Sequence, residues 1–304
     1  MLLVTGSIGI DTIQAPTGNA DDVLGGSAIY FAAAASFHGP VRLVAAVGDD
    51  FPPAMRSSFE RFDIDLGGLE ERAGSKTFRW TGRYHDNMND RETLSVELNV
   101  LGEALPPVPD AFTDSKYVFL ANTHPAAQAE LHGRFPDAEL VVADTMDLWI
   151  ENERDALLSL LQRIDGLVLN DSEAFQLTAH RNPVTAGHAI LKLMGDRAGA
   201  FVVIKKGEHG ALLVHPEGLA NLPAYPTADV VDPTGAGDTF GGGFMGHLAA
   251  TGDTSFTNLK HAMAVGTVTA SFTLETFSLD RLNRLSQHDI QNRLNQYIEM
   301  LSVG

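Results

Sequence analysis

Short apolar runs rich in β-branched residues recur along this chain, and they restrict its fold more than any other feature. They include "VRLVAAVG", "YVFLAN", "ELVVAD", "GLVLN" and "AFVVIKKG", and the N-terminal run "LLVTGSIGI" has the same character. Runs that are apolar at consecutive positions are typical of strands buried on both faces of a parallel sheet. Helical patterns lie between the runs, at 27–38, 151–163, 172–178 and 184–193. The alternation predicts an α/β fold, with helices on both faces of a mostly parallel sheet in three α/β/α layers.

Two segments break this pattern. Residues 75–100, "SKTFRWTGRYHDNMNDRETLSVELNV", alternate polar and apolar side chains around a polar turn, which predicts a β-hairpin with one solvated face. Residues 11–25 lack helical periodicity and can add further strands. We therefore expect a small β-sheet lid (11–25 and 75–100) over a core made of 1–10, 26–74 and 101–304. In the hairpin, Trp80 or Arg83 either covers the substrate or packs in the core or the lid.

The charge balance excludes one class of partner. With 21 basic and 39 acidic residues, the formal net charge is −18. Such a surface repels phosphate backbones, so we expect no nucleic-acid partner. An anionic substrate must then be held by local backbone dipoles and a few placed cations.

The sequence also lacks targeting and cross-linking signals. The start, "MLLVTGSIGID", has no cationic segment before its apolar run, and no stretch approaches the roughly 20 apolar residues of a membrane span. There are no cysteines, which excludes disulfides and thiolate metal sites. We expect a soluble cytoplasmic protein without a membrane partner.

A glycine-rich run, "VDPTGAGDTFGGGF" at 231–244, carries the strongest chemical signal. It is not a P-loop, because no lysine follows its glycines, and it lacks the spacing and early position of a dinucleotide fingerprint. What remains is a turn in which Gly235, Ala236 and Gly237 can point successive amides at an anion, followed by a helix from Asp238 whose dipole favours the same charge. Asp238 is either the base that accepts a proton from an attacking hydroxyl or only a helix-capping residue.

Further glycines follow at 241–243, inside the helix that the run predicts. Each costs a helix about 1 kcal/mol relative to alanine. We expect close packing of that helix against neighbouring backbone to compensate.

The run resembles the C-terminal signature of the ribokinase-like (PfkB) family of carbohydrate and nucleoside kinases. Four further segments resemble family motifs in the family's order: "GSIGID", "LGGSAIYFAAAASFHG" followed by "VRLVAAVGDD", "LNDSE" and "VIKKGEHGALL". The resemblance covers essentially the whole chain, and the family's β lid agrees with the hairpin predicted from the alternation.

The resemblance implies a role for each matching position. Asp238 falls on the catalytic base, Gly235, Ala236 and Gly237 on the anion hole, and Asp232 and Thr234 on a monovalent-cation site. The other implied roles are substrate binding (Asp11), a hinge beside the substrate between core and lid (Gly25, Gly26), magnesium and phosphate binding (Asn170 and, through water, Glu173) and nucleotide binding (Lys205, Gly207, Gly210). Asp144 and Asp147 in "ADTMD" could bind a metal, but capping of the next helix is the favoured interpretation.

One position departs from the family's pattern. Many sugar kinases place a sugar-binding asparagine after the di-glycine, where this chain has Tyr30. A tyrosine there could stack on a base or an apolar substituent, or narrow the site for a compact polyol.

The implied activity is Mg²⁺-dependent transfer of the γ-phosphoryl group of ATP to a hydroxyl of a small sugar or polyol, with K⁺ as a candidate activator. The alternatives are a nucleoside kinase, which Tyr30 favours, and a non-catalytic sugar or nucleotide sensor. An exposed lid edge could pair two copies into a homodimer.

Overall fold

The computed structural model describes residues 1–302 of the chain. In this part, thirteen strands form two sheets. The strands are β1 (Leu2–Thr5), β2 (Gly9–Ala15), β3 (Gly18–Gly25), β4 (Val41–Gly48), β5 (Asp65–Arg72), β6 (Phe78–Tyr84), β7 (Arg91–Glu97), β8 (Tyr117–Leu120), β9 (Leu140–Asp144), β10 (Gly166–Asn170), β11 (Phe201–Lys205), β12 (Ala211–His215) and β13 (Gly218–Leu222).

The larger sheet has nine strands in the order β13-β12-β11-β10-β9-β8-β1-β4-β5. All neighbours from β5 to β11 run parallel, and only the pairs that involve β12 are antiparallel. The predicted mostly parallel sheet is confirmed. The first apolar run differs from its prediction as one strand, because β1 ends at Thr5 and the chain then crosses to the other sheet, where β2 begins at Gly9.

Helices cover both faces of the larger sheet and complete the predicted three layers. Alternate strand residues point to opposite faces, so that Val4 belongs to one buried apolar cluster and Leu3 to the other. The helices are α1 (Ser27–Ser36), α2 (Arg56–Arg61), α3 (Pro125–His132), α4 (Asp147–Asn152), α5 (Arg154–Leu161), α6 (Asp171–Thr178), α7 (Pro183–Leu193), α8 (Ala236–Thr251), α9 (Phe256–Thr273) and α10 (Gln287–Leu301). The helical pattern predicted over 151–163 is divided between α4 and α5.

The smaller sheet has four strands in the order β3-β2-β6-β7. Strands β6 and β7 form the antiparallel hairpin predicted from the alternation, and β2 lies parallel to β6. The protein therefore has the small additional sheet expected from the sequence. Among the helices of residues 1–302, none combines the length and the apolar character that crossing a membrane requires.

Helix α8 packs very close to its neighbours α1 and α9. A Cβ atom at Gly242 would lie 2.2 Å from the carbonyl oxygen of Phe31 in α1, and one at Gly243 would lie 3.1 Å from the Cα of Gly266 in α9. Only glycine permits these approaches, so the packing expected to compensate for the helix glycines is present. The middle of α8 is therefore in direct contact with the backbones of α1 and α9.

Candidate active site

The glycine-rich turn ends in the first turn of α8. Gly235 is the residue before the helix and has φ 75°, a left-handed conformation that glycine adopts without strain. The helix begins at Ala236, two residues before the predicted start, which places Asp238 inside its first turn. The Ala236 amide donates to the Pro233 carbonyl at 3.2 Å. Since a helix N-terminus leaves amides without intrahelical partners, those of Gly237 and Asp238 can donate hydrogen bonds to an anion.

Tyr30 lies beneath this turn and is only 1% exposed. A Cβ atom at Gly235 would come within 2.4 Å of the Tyr30 Cγ, so the phenol ring packs directly against the turn. Burial, followed by the charges of Asp232 and Asp11, raises the pKa of Tyr30 well above its ordinary value. The hydroxyl group has no hydrogen-bond partner within residues 1–302. The ring supports the turn, and within residues 1–302 the hydroxyl is left unpartnered.

Asp11 lies on β2, in the smaller sheet, with 4% of its surface exposed. Its carboxylate occupies the space beside Gly25, where a Cβ atom would lie 1.8 Å from Oδ2. The Oδ1 atom has no hydrogen-bond partner in the described part of the chain. Burial, followed by the charges of Asp232 and Asp238, raises the pKa of Asp11 to about 7. Gly26 follows with φ 106° and immediately precedes α1, so Gly25 and Gly26 connect β3 of the smaller sheet to α1.

Asp238 lies in a group of buried charges at the carboxyl end of the larger sheet. Burial, followed by the charge of Asp144, raises the pKa of Asp238 to about 7, while Lys205 and Arg91 oppose the shift. The Lys205 Nζ lies 3.8 Å from Oδ2 of Asp144. Asp144 does not cap α4, which begins after Met146, so the interpretation favoured from the sequence was wrong.

Asn170 and Glu173 form a reciprocal cap at the start of α6. The Asn170 side chain accepts from the Glu173 amide, and the Glu173 carboxylate accepts from the Asn170 amide, both at 2.7 Å. Burial, followed by the charge of Asp144, raises the pKa of Glu173 to about 7. Among the described residues, no three histidine, aspartate or glutamate side chains are grouped closely enough to hold a metal by themselves.

Asp232 and Thr234 are linked across the turn. The Thr234 amide donates to Oδ1 of Asp232 at 2.9 Å, and the Thr234 hydroxyl donates to the Tyr84 hydroxyl at 3.1 Å. Asp232 is fully buried, and within residues 1–302 its Oδ2 has no hydrogen-bond partner. Because Tyr84 ends β6, this bond ties the turn to the smaller sheet.

The two glycines of "VIKKGEHGALL", between β11 and β12, have different surroundings. Gly207 is exposed and lies beside Asn89 of the β6–β7 turn, whose Oδ1 would be 3.3 Å from an added Cβ. Gly210 is buried, and a Cβ atom there would lie 2.0 Å from the carbonyl oxygen of Leu222. Tight packing against β13 is sufficient to explain Gly210.

The smaller sheet brings Arg91, which the sequence interpretation missed, towards the site. Arg91 pairs with Tyr84 across β6 and β7, and its guanidinium lies 5.5 Å from the ring centre of Trp80. Its charge opposes the raised pKa values of both Asp11 and Asp238. Arg83 instead bonds Gln14 at 3.0 Å. The sequence signal for this difference is the period of two along β6, which places Arg83 on the opposite face of the strand from Trp80 and Tyr84.

Comparisons with known proteins find relatives along most of the chain. The model of the family described as "pfkB family carbohydrate kinase" matches residues 21–283. The chain is 30% identical over 253 residues to a cytidine kinase of Thermococcus kodakarensis, an alignment that covers 80% of this chain and 87% of the relative.

Solved structures share the fold at low identity. The nucleoside kinase of Burkholderia thailandensis in complex with inosine superposes with a TM-score of 0.76 at 17% identity, over 98% of this chain and 99% of its own. A putative ribokinase II from E. coli in complex with ATP and Mg²⁺ gives 0.74 at 18% identity, over 97% and 99%.

Proposed function

The chain belongs to the pfkB family of carbohydrate kinases and is thus a phosphotransferase with a hydroxyl acceptor, and we propose that Asp238 is its catalytic base. In the proposed step, Asp238 takes the proton of the acceptor hydroxyl, and the acceptor oxygen bonds to the γ-phosphorus of ATP. The bond from that phosphorus to the β–γ bridging oxygen breaks, and ADP leaves.

The observation that carries this proposal is the position of Asp238 in the first turn of α8, beside open amides. A carboxylate at this point is next to the place where the negative charge of a transferring phosphoryl group is best stabilised. The turn from Gly235 to Gly237 would hold that charge. The pKa of Asp238, about 7, suits a group that must gain and lose a proton near neutral pH.

The acceptor is proposed to be a small sugar, polyol or nucleoside. Two buried polar atoms without protein partners in residues 1–302, Oδ1 of Asp11 and the hydroxyl of Tyr30, are suited to hydroxyl groups of such a molecule. The cytidine kinase relative and the inosine-bound neighbour support a nucleoside as strongly as the family description supports a sugar. The Tyr30 ring is covered by the turn, so base stacking on it is not part of the proposal.

ATP is proposed to bind at the carboxyl ends of β10 and β11, near Asn170, Lys205, Gly207 and Gly210. Mg²⁺ would bridge its phosphate oxygens and neutralise their charge. The chain offers Glu173 as an oxygen donor, and the lack of a three-residue metal cluster among the described residues fits an ion held by the nucleotide, with Glu173 ordering its water.

A monovalent cation such as K⁺ is proposed to bind behind the turn. The unpartnered Oδ2 of the fully buried Asp232 is a negative oxygen that such an ion would compensate, and Thr234 adds a second oxygen. Activity should then be higher in K⁺ than in tetramethylammonium at equal ionic strength. Equal activity in the two salts would remove the ion from the proposal.

The smaller sheet is proposed to act as a lid over the acceptor and as the contact of a homodimer. Among the strands of residues 1–302, β7 pairs with β6 alone, and its Leu94 is 38% exposed. An open edge of this kind can pair with the same edge of a second copy. Light scattering of the native chain and of Leu94→Lys tests the dimer. Because the proposed reaction consumes ATP, we place the protein in the cytoplasm.

The test of the function is acceptor-dependent ATP consumption. Sugars, polyols and nucleosides would each be added to the native enzyme with ATP and Mg²⁺, and to Asp238→Asn. We expect turnover with one acceptor class, with kcat lower by a factor of at least about 10² in the variant and acceptor affinity largely retained. Full turnover by Asp238→Asn would refute the assigned base, and nucleotide binding without any acceptor-dependent turnover would favour a sensor.

A further inference from the structure

Lys205 and Asp144 meet across the end of the strand that separates them. Lys205 ends β11 and Asp144 ends β9, with β10 between them. Their side chains are 19% and 9% exposed, and Nζ lies 3.8 Å from Oδ2. An ion pair this far removed from water persists only when its geometry is well supported.

The support comes mainly from the Asp144 side. Its Oδ1 accepts from the Thr145 amide at 2.7 Å. Its carbonyl oxygen accepts from the buried Gln128 side chain at 2.9 Å, which also bonds the end of β8. The backbone and one carboxylate oxygen are thus fixed, and the remaining oxygen faces Lys205.

The other side of the Lys205 ammonium faces the anion-binding turn. A Cβ atom at Gly237 would lie 2.9 Å from Nζ, so the ammonium occupies the space that a side chain at 237 would take. It therefore stands next to the open amides of α8 and one residue from Asp238. The neighbouring Lys206 points elsewhere and bonds Asn221 at 2.7 Å.

The charges around Lys205 keep it cationic. Burial lowers its pKa, but Asp144, Glu173 and Asp238 together raise it above the ordinary value. Each of these three carboxyl groups repels an incoming phosphoryl group whenever it is ionised. The positive charge of Lys205, at the end of β11, offsets this repulsion.

We propose, given the kinase function above, that Lys205 is a catalytic residue that binds the transferring γ-phosphoryl group beside the Gly237 amide, and that Asp144 is the positioning residue that aims it. The γ-phosphoryl group is chosen over the α and β groups because Nζ lies at the turn that carries the base. The phosphorus atom that the acceptor oxygen attacks must be adjacent to that base.

The first test separates the phosphate groups without turnover. Calorimetry with Mg²⁺ would compare ADP and the β,γ-imido analogue of ATP on the native chain, Lys205→Ala and the matched control Lys206→Ala. Compared with the native chain, we expect Lys205→Ala to bind the triphosphate analogue at least about tenfold more weakly and to bind ADP with an affinity within about twofold. The variant lacks a charge-assisted contact that only the third phosphate makes. Lys206→Ala should match the native chain for both.

Two outcomes would overturn the assignment to the γ-phosphoryl group. Equal weakening for ADP and the analogue would make Lys205 a general phosphate contact. Unchanged binding of both with a lowered Tm would make the ion pair structural.

The second test addresses Asp144. Asp144→Asn keeps the shape of the side chain and removes the charge that holds the ammonium. We expect kcat to fall about 10²–10³-fold in Lys205→Ala and less in Asp144→Asn. In the double variant we expect no loss beyond that of Lys205→Ala, since a positioning residue has nothing left to position. Fully additive losses would refute the positioning role.

Failure of this inference and failure of the kinase function are distinguishable. In one outcome, no acceptor supports turnover while Lys205→Ala still weakens binding of the analogue more than binding of ADP. That result would support the contact with the γ-phosphoryl group and refute the kinase reaction. If the native chain turns over ATP with an acceptor and Lys205→Ala behaves like Lys206→Ala, the inference falls alone. A native chain that binds neither nucleotide refutes both.

Discussion

The ring of Tyr30 and the backbone of Gly235 are in direct contact, so close that a Cβ atom at 235 would come within 2.4 Å of the ring. Gly235 gives the turn its shape through its left-handed φ of 75°, and the Tyr30 ring packs against that backbone. The Tyr30 hydroxyl lies in the field of Asp11 and Asp232. One side chain therefore joins the proposed acceptor site to the proposed phosphoryl site.

Two substitutions at this position should have different effects. Tyr30→Phe keeps the ring and removes the hydroxyl, so we expect the KM for the acceptor to rise about 2–10-fold with kcat nearly unchanged, as for one lost hydrogen bond. Tyr30→Leu removes the flat support, and we expect kcat to fall at least about tenfold because the amides lose their alignment. Steady-state kinetics measure both, with Tyr225→Phe as the control. Identical effects of the two substitutions would contradict the division of roles.

The pH dependence of the reaction should follow the proposed base. Burial, followed by the charge of Asp144, raises the pKa of Asp238 to about 7. Since a base must be deprotonated, we expect kcat/KM for the acceptor to rise from pH 5.5 to pH 8.5 with its midpoint near that value. Asp11 titrates in the same range and would steepen the rise. Initial rates at low acceptor concentration give the profile, and a flat profile over this range is incompatible with the assignment.

The same carboxylate should lower stability at high pH. Its pKa is 3.8 in the unfolded chain and about 7 in the fold, so the folded state binds the proton more tightly. The stability it contributes is complete below about pH 4 and is lost as pH rises through 7. We expect Asp238→Asn to melt at a higher temperature than the native chain at pH 8, and at the same temperature near pH 4. The exposed Asp86→Asn is the control, and a difference that does not change with pH would contradict the linkage.

Arg91 should matter for the acceptor, and Arg83 should not. Arg91 shares a sheet face with Tyr84, whereas Arg83 faces the opposite side and bonds Gln14. We expect Arg91→Ala to raise the KM for the acceptor about tenfold, the size of one charge-assisted hydrogen bond, with less effect on ATP. Arg83→Ala should remain close to the native enzyme. Equal effects of both alanines would show that only net charge is involved.

Local patterns along the chain were enough to predict much of this fold. Apolar runs and helical periods predicted the parallel sheet with its two helical layers, because burial on two faces leaves a direct mark on consecutive residues. The glycines around Asp238 indicated an anion-binding turn for a similar reason, since small residues are needed locally where backbone amides must approach an anion. The hairpin of β6 and β7 likewise follows from alternation.

What could not be predicted depends on contacts between distant segments. The end of β1 at Thr5 follows from pairing with β4 and β8, not from any change in hydropathy within "LLVTGSIGI". Asp144 looked like a helix cap because its partner, Lys205, is 61 positions further on (205 − 144). Which side chains of the smaller sheet reach the site depends on how that sheet sits on the larger one.

Because β2 of the smaller sheet precedes α8 in the chain, the two parts of the proposed site are synthesised in a fixed order. Asp11 leaves the ribosome 227 residues before Asp238 does (238 − 11). Between them, β1 must wait for β8 at Tyr117 before it is flanked on both sides. An unfinished nascent chain therefore holds the aspartate proposed for the acceptor but no base to activate it. If Asp238 is the base, activity can begin only after α8, which carries it, has been synthesised.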